Sequence, residues 1–168
     1  MQDILARGQG ASQLTGHSES WLEEVSIENL RLAISHNPDS PHDKAKNALE
    51  VRWARNFKLK NVEIVWEKPW SEKWENAVYL ENIHDVKVEN LKARQARNDD
   101  LKSAALVLNQ VERAIIRGCQ AVPGTTTFLK ICGQSSRDVF LTANEWSFAR
   151  RPVEFSKEVA VKKIRKIE

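Results

Sequence analysis

Only two cysteines, Cys119 and Cys132, occur in the 168 residues, too few for a disulfide scaffold or a four-cysteine metal site. An excess of one charge is also missing. The 26 basic residues are interspersed with 23 acidic ones, which argues against a dedicated nucleic-acid surface, where one sign concentrates. No apolar run approaches the roughly 18 residues that a membrane span requires. The opening "MQDILARGQGASQLTG" has no continuous apolar stretch of the kind found in a signal peptide. The expectation is a cytoplasmic protein, or a piece whose export signal lies elsewhere. What remains is ordinary for a globular chain, 41% apolar and 29% charged, long enough for one domain with a substantial core.

A repeat is present. "FKLKNVEI" from Phe57 superimposes on "VKVENLKA" from Val86, with Asn61 over Asn90, at an offset of 29 residues (86 − 57). "VSIENLRL" from Val25 precedes it by 32 (57 − 25), and "AIIRGCQA" from Ala114 follows by 28 (114 − 86). "VFLTANEW" from Val139 adds a degraded copy 25 further on (139 − 114). Upstream in each unit, Leu49 and Val51 correspond to Val78 and Leu80.

Each unit reads as a short strand, a turn, a second strand, a one-residue corner and a third strand. Alternation places Val86 and Val88 on one face. A single corner residue commonly needs positive φ, which asparagine and glycine tolerate best. Asn29, Asn61, Asn90 and Gly118 fit that place, while Ala143 and Asn144 suggest a shifted corner in the last turn. Stacked asparagines can bond amide to amide along the axis. A leucine-rich repeat has a comparable period and also carries an asparagine, but its leading L-x-x-L is absent here, and a second alternating strand replaces its helix. The pattern fits an all-β, right-handed parallel β-helix of about five coils better. At about 4.8 Å per coil it would stand roughly 24 Å tall.

On this register Leu49, Val78, Leu106 and Leu129 form one inward column, and Val51, Leu80, Leu108 and Ile131 another. Residues 21–150 are read as coils and 1–20 as a polar, loosely ordered or severed connection. Residues 151–168 are read as a capping segment with a basic tail, since an open coil presents unpaired strand edges. Exposed coil ends also offer a route to self-association. A membrane-surface helix is the sharper interpretation of the tail, but the tail is short for that.

Loops of variable length occupy one slot of the repeat, so they must project from one side, often the binding side of a solenoid. The loop 65–76 holds Trp66, Trp70 and Trp74 beside Pro69. These indoles are either a sugar-stacking platform or a lid packed on the core, and packing is favoured. The loop 33–47 holds His36, Asp39, His42 and Asp43, whose spacing matches no dedicated metal site, so no metal is assigned. The outward positions of the first strands include Glu50, Arg52, Tyr79, Glu81, Val107, Asn109 and Lys130. Glu50 and Glu81 approach across adjacent coils and have the chemistry for acid–base work, but Arg52 beside them favours an ion pair. His17 and His84 have no obvious carboxylate or cysteine partner.

In "VSIENLRLAIS", "ALEVRWARNFKLKNVEIVW", "AVYLENIHDVKVENLKARQA" and "AALVLNQVERAIIRGCQAVPGTTTFLKICG", the chain resembles the pectin-lyase-like β-helix superfamily. Within it, the segment from Val25 to Trp146 is similar to the C-terminal part of polygalacturonase-like proteins of glycoside hydrolase family 28. The resemblance implies action on, or binding of, an acidic plant polysaccharide such as pectin, with no cofactor. It implies neither a nucleic-acid nor a membrane partner. Active members carry aspartates for inverting hydrolysis in Asn-x-Asp and Asp-Asp motifs, with Gly-His-Gly and Arg-x-Lys. None is intact: Gly16-His17 is followed by Ser18, Arg31-Leu32 by Ala33, and Asp99-Asp100 lies in a polar loop. No catalytic residue is therefore assigned. The expectation is the C-terminal coil stack of a longer carbohydrate-active β-helix. The alternative is a stand-alone, non-catalytic module for glycan binding or assembly, with Trp66, Trp70, Trp74, Glu50 and Glu81 as candidate substrate contacts.

Overall fold

A computed structural model describes residues 4–10, 12–37, 39, 46–68, 70–159 and, for the backbone, 164–167. Among these residues there is no helix, and the strands form a parallel β-solenoid of about five turns. The strands are β1 (Ile4–Gly8), β2 (Ser12–Thr15), β3 (Leu22–Glu23), β4 (Ser26–Ile34), β5 (Leu49–Trp66) and β6 (Val78–Ala93). Then follow β7 (Leu106–Arg117), β8 (Gln120–Ala121), β9 (Thr127–Cys132), β10 (Arg137–Thr142), β11 (Arg151–Phe155) and β12 (Ile164–Ile167). Each pair of named strands is parallel, and β4, β5, β6, β7 and β10 lie side by side in that order.

The pairing is the register of the sequence repeat. Phe57 pairs with Val86, Val86 with Ala114 and Ala114 with Val139. Both inward columns form: Leu49–Val78–Leu106–Leu129 and Val51–Leu80–Leu108–Ile131. Their members are at most 2% exposed. Burying one such aliphatic side chain is worth about 1.5–3 kcal/mol, so these columns supply a large share of the driving force.

The three middle coils each bend at three single-residue corners, where the sequence suggested one corner and a turn. The first coil keeps a turn at His17–Ser20 in place of the first corner, and in the last coil that corner opens into a turn at Gly133–Ser136. The third corner is the expected column: Asn29, Asn61, Asn90, Gly118 and Ala143, with φ of 57, 53, 54, 63 and 50°. The Asn61 amide donates to Asn29 Oδ1 at 2.9 Å, and the Asn90 amide to Asn61 Oδ1 at 2.8 Å. At Gly118 a Cβ would overlap Asn90 Oδ1, so any other residue there must displace the end of the Asn90 side chain as well as take up a left-handed φ. In the last coil Ala143 takes the corner itself. Asn144, one residue on, accepts from Cys119 N at 2.9 Å and donates to Ile116 O at 3.0 Å, bracketing the Gly118 corner.

The two earlier corners replace the expected turn. The first comprises Trp53, Asn82, Gln110 and Gly133, with φ of 56, 53, 56 and 82°. The second comprises Glu24, Asn56, Asp85, Arg113 and Asp138, with φ between 53 and 59°. Between them Ala54, Ile83 and Val111 point inward and are fully buried. A left-handed residue between an outward and an inward neighbour bends the chain without losing the inward phase.

Both ends differ from expectation. The first twenty residues, read as a loose connection, are partly laid into the solenoid. Ile4 of β1 pairs with Leu30, and Ser12 of β2 pairs with Leu49. Their apolar content is low, but Ala6 and Leu14 fall on the inward phase and pack against the core. At the other end β11 stacks on β9 and β12 on β10, so the segment read as a cap continues the coil path. Pro152 sits in β11, which pairs on one side only among the described residues, where a missing N–H is tolerated.

Candidate binding face

The first segment of each coil stacks its outward side chains into two columns. One runs Gln13, Glu50, Tyr79, Val107 and Lys130; the other runs Thr15, Arg52, Glu81, Asn109 and Cys132. Val107 belongs to this face by phase, yet it is buried at 4% exposure. The loops that enter the segment flank it. They hydrogen-bond to one another in coil order, Glu75 N to Lys46 O at 2.6 Å and Ala96 N to Glu75 O at 2.9 Å. They therefore rise on one side, as the shared slot requires.

Glu50 and Glu81 are brought together with Arg52 between them. Arg52 Nε lies 2.8 Å from Glu50 Oε1 and 3.2 Å from Glu81 Oε2. The second oxygen of Glu50 accepts from the Asn47 amide at 2.8 Å. The second oxygen of Glu81 accepts from Asn109 Nδ2 at 2.8 Å and faces the Tyr79 hydroxyl at 3.4 Å. One oxygen of each carboxylate is thus hydrogen-bonded, and the other lies within ion-pair distance of Arg52 Nε, which itself makes no hydrogen bond. The pair is the ion cluster that Arg52 pointed to. Beside it, burial pushes the Tyr79 phenol up, and the guanidinium of Arg52 lies 5.8 Å from the Tyr79 ring centre.

A second asparagine ladder, not anticipated from sequence, enters this face. Asn76 Nδ2 donates to Asn47 Oδ1 at 2.9 Å, and Ala104 N donates to Asn76 Oδ1 at 2.8 Å. Both asparagines are 6% exposed. Their signal was an "N-A" pair before two of the first strands, at Asn47-Ala48 and Asn76-Ala77, continued by Ala104-Ala105. Between the ladder and the columns opens a polar cleft of about 380 Å³. Its walls are Gln13, Lys46, Asn47, Glu50, Arg52, Glu75, Asn76 and Tyr79. Lys46 pairs with Glu75 at 3.3 Å, so the cleft's cations already face carboxylates.

The three tryptophans of the loop 65–76 divide between core and surface. Trp66 and Trp74 are 7% and 1% exposed and belong to the core cluster, which corrects their candidacy as sugar contacts. Their rings meet at 5.2 Å, Trp66 Nε1 donates to Arg94 O, and Trp74 meets the edge of His36. Trp70 alone of the three is open, at 49% exposure, with Lys68 Nζ 5.6 Å from its ring. The aromatic cluster that sequence reading missed lies at the first corner. Trp21 meets Trp53 edge-on at 5.5 Å and His84 at 4.9 Å, and all three are half-buried.

The remaining candidates are structural. His17 closes a tight turn with Ser20, and Arg31 pairs with Glu63. Asp100 is not solvated: it accepts from Ser103 Oγ, Lys102 N and Arg97, tying the loop 94–103. Asp39 N donates to Asn37 Oδ1, while His42 and Asp43 lie outside the described residues. No group of three or more metal-ligating side chains occurs among the described residues. Compared with known protein families, with curated proteins and with solved structures, the chain finds no match.

Proposed function

We propose that this solenoid binds a polysaccharide, without cleaving it, along its first-segment face, with the cleft beside Glu50, Arg52 and Tyr79 as the seat. The observation that carries this reading is the cleft itself. It combines amide donors and acceptors, an aromatic ring and a half-exposed guanidinium in a concave, polar site on the loop side. The pairing of both carboxylates with the one Arg52 guanidinium supports binding over hydrolysis, which needs one carboxylate free to give a proton and another to activate water. The resemblance to polygalacturonase-like proteins makes galacturonan the acidic ligand to test. The paired charges of the cleft favour recognition through hydroxyls, and affinity then depends little on salt. The same face serves a stand-alone module and the end of a longer carbohydrate-active solenoid alike.

Calorimetric titration with galacturono- and cello-oligosaccharides tests this. Wild type is expected to bind, and Tyr79→Ala to weaken binding about tenfold with an unchanged melting curve. Raising salt from about 0.05 to 0.5 M should change affinity less than about threefold. A folded sample that binds neither series, or that releases reducing ends from either, defeats the reading.

A second reading concerns assembly. Ile4 and Leu5 of β1 are 56% and 64% exposed and, with Leu30, line a hollow of about 370 Å³. We propose that a second copy covers this end. Sedimentation should show concentration-dependent dimers that Leu5→Lys abolishes, and a strictly monomeric wild type rules the contact out.

A further inference from the structure

Trp53 stands at the first corner with φ +56°, in a column otherwise filled by Asn82, Gln110 and Gly133. For a bulky aromatic residue the left-handed region is an outlier, and such outliers gather where function holds them. Asparagine or glycine would suit the backbone better there. Coil stacking holds the backbone there, and the position carries an indole to the surface.

That side chain joins a surface group made from three successive coils. Trp21 reaches from the first coil across Trp53 of the second to His84 of the third. Trp21 is fixed by its own Nε1–H, which donates to Ser18 O at 3.1 Å. The Arg55 guanidinium lies 4.7 Å from the Trp21 ring centre and leans only loosely on Glu23, at 3.7 Å. Arg55 is half exposed, so its donors face solvent beside the indoles. Trp53 directly follows Arg52, so the group begins about 3.8 Å of backbone from the cleft wall.

We infer that Trp21, Trp53 and Arg55 form an outer subsite that stacks a pyranose ring of the same glycan chain and hydrogen-bonds its substituents. This rests on the glycan-binding reading of the cleft and extends it around the corner. Indole faces match the apolar face of a sugar ring, and a planar guanidinium reads paired oxygens. Indoles and arginine also stack nucleobases, but the subsite offers one guanidinium, already facing Glu23, which is little positive charge to hold a phosphate backbone.

The test is titration of wild type, Trp53→Asn, Trp53→Phe and Tyr79→Ala with cello- and galacturono-oligosaccharides of increasing length, followed by tryptophan fluorescence and melting. Wild-type affinity should rise about tenfold once the chain is long enough to leave the cleft. Trp53→Asn should lose that gain, keep binding of the shortest ligands, and melt no lower than wild type because asparagine relieves the corner. Trp53→Phe should retain part of the gain. Tyr79→Ala should weaken every length. If Trp53→Asn follows the wild-type length series, the subsite is wrong while the cleft stands; if it melts several degrees lower, Trp53 is there for packing and the subsite is again wrong. If no oligosaccharide binds wild type, the cleft reading falls and the subsite with it. A tryptophan-dependent oligouridylate complex would replace the sugar by a nucleobase.

Discussion

The first and third corners bend the same coils through the same left-handed backbone, yet they are built to opposite plans. At the third, Asn29, Asn61 and Asn90 repeat one residue and link through amides, and Gly118 yields its space to Asn90. At the first, the residue type changes from Trp53 to Asn82 to Gln110 to Gly133. Gly133 yields its space to Gln110, but among the described residues no amide runs from Asn82 along the column. The third corner is a continuous polar spine that sets the coil. The first is a series of independent bends, free to carry different side chains to the surface beside the cleft.

The comparison breaks most visibly at Gly118. Gly118→Val puts a β-branched residue at φ 63° and drives its Cβ into Asn90 Oδ1. Left-handed strain plus the clash should cost about 3 kcal/mol or more, read by denaturant unfolding. Asn90→Ala is next. It loses the amide link to Asn61 and the backbone tolerance of asparagine, about 2 kcal/mol together. Asn82→Ala should cost about half as much, since only the backbone term applies. Equal losses at Asn82 and Asn90 would show that the amide spine contributes nothing.

How far the fold could be read depended on which groups carried the signal. The inward phase was legible because Leu49, Val78, Leu106 and Leu129 repeat at nearly constant spacing, and the register followed from it. The third corner was legible because asparagine and glycine advertise positive φ. The first two corners were not, because Asn82, Gly133, Asn56, Asp85 and Asp138 are interrupted by Trp53, Gln110, Arg113 and Glu24, which carry no such local preference. Coil stacking imposes their conformation. The Glu50–Arg52–Glu81 cluster followed directly from register. The fate of the tryptophans did not, since the burial of Trp74 depends on contacts with Trp66 at the end of β5 and with His36 from the preceding loop.

The loops that flank the first segment add a pH-dependent term. Burial alone would raise the Asp100 carboxyl, but Ser103, Lys102 N and Arg97 outweigh it and hold the group at about 2. A carboxyl depressed in the folded state stabilises above its ordinary value near 4, and that contribution is lost as pH falls toward 2. Arg97 is substantially exposed, so screening reduces the effect to about 1 kcal/mol. Unfolding between pH 5 and 2 should therefore show a steeper loss in wild type than in Asp100→Asn, and parallel curves would remove Asp100 as the anchor of its loop.

The smallest effect tests the two corners against each other through the cysteine beside each. Cys119 immediately follows the third corner and Cys132 immediately precedes the first. Cys119 is fully buried, and burial pushes its thiol up to about 11 despite contacts with the backbone of Leu91, Arg117 and Asn90. Burial also raises the Cys132 thiol, but Cys132 stands in the outward column and is only half-buried. Thiolates do the reacting, so reagent at mildly alkaline pH should modify Cys132 first and reach Cys119 only on the timescale of coil opening. Asn90→Ala should speed labelling of Cys119 and leave Cys132 unchanged. Equal labelling rates in wild type would mean that the third corner opens as readily as the first, and that its amide spine does not close the coil.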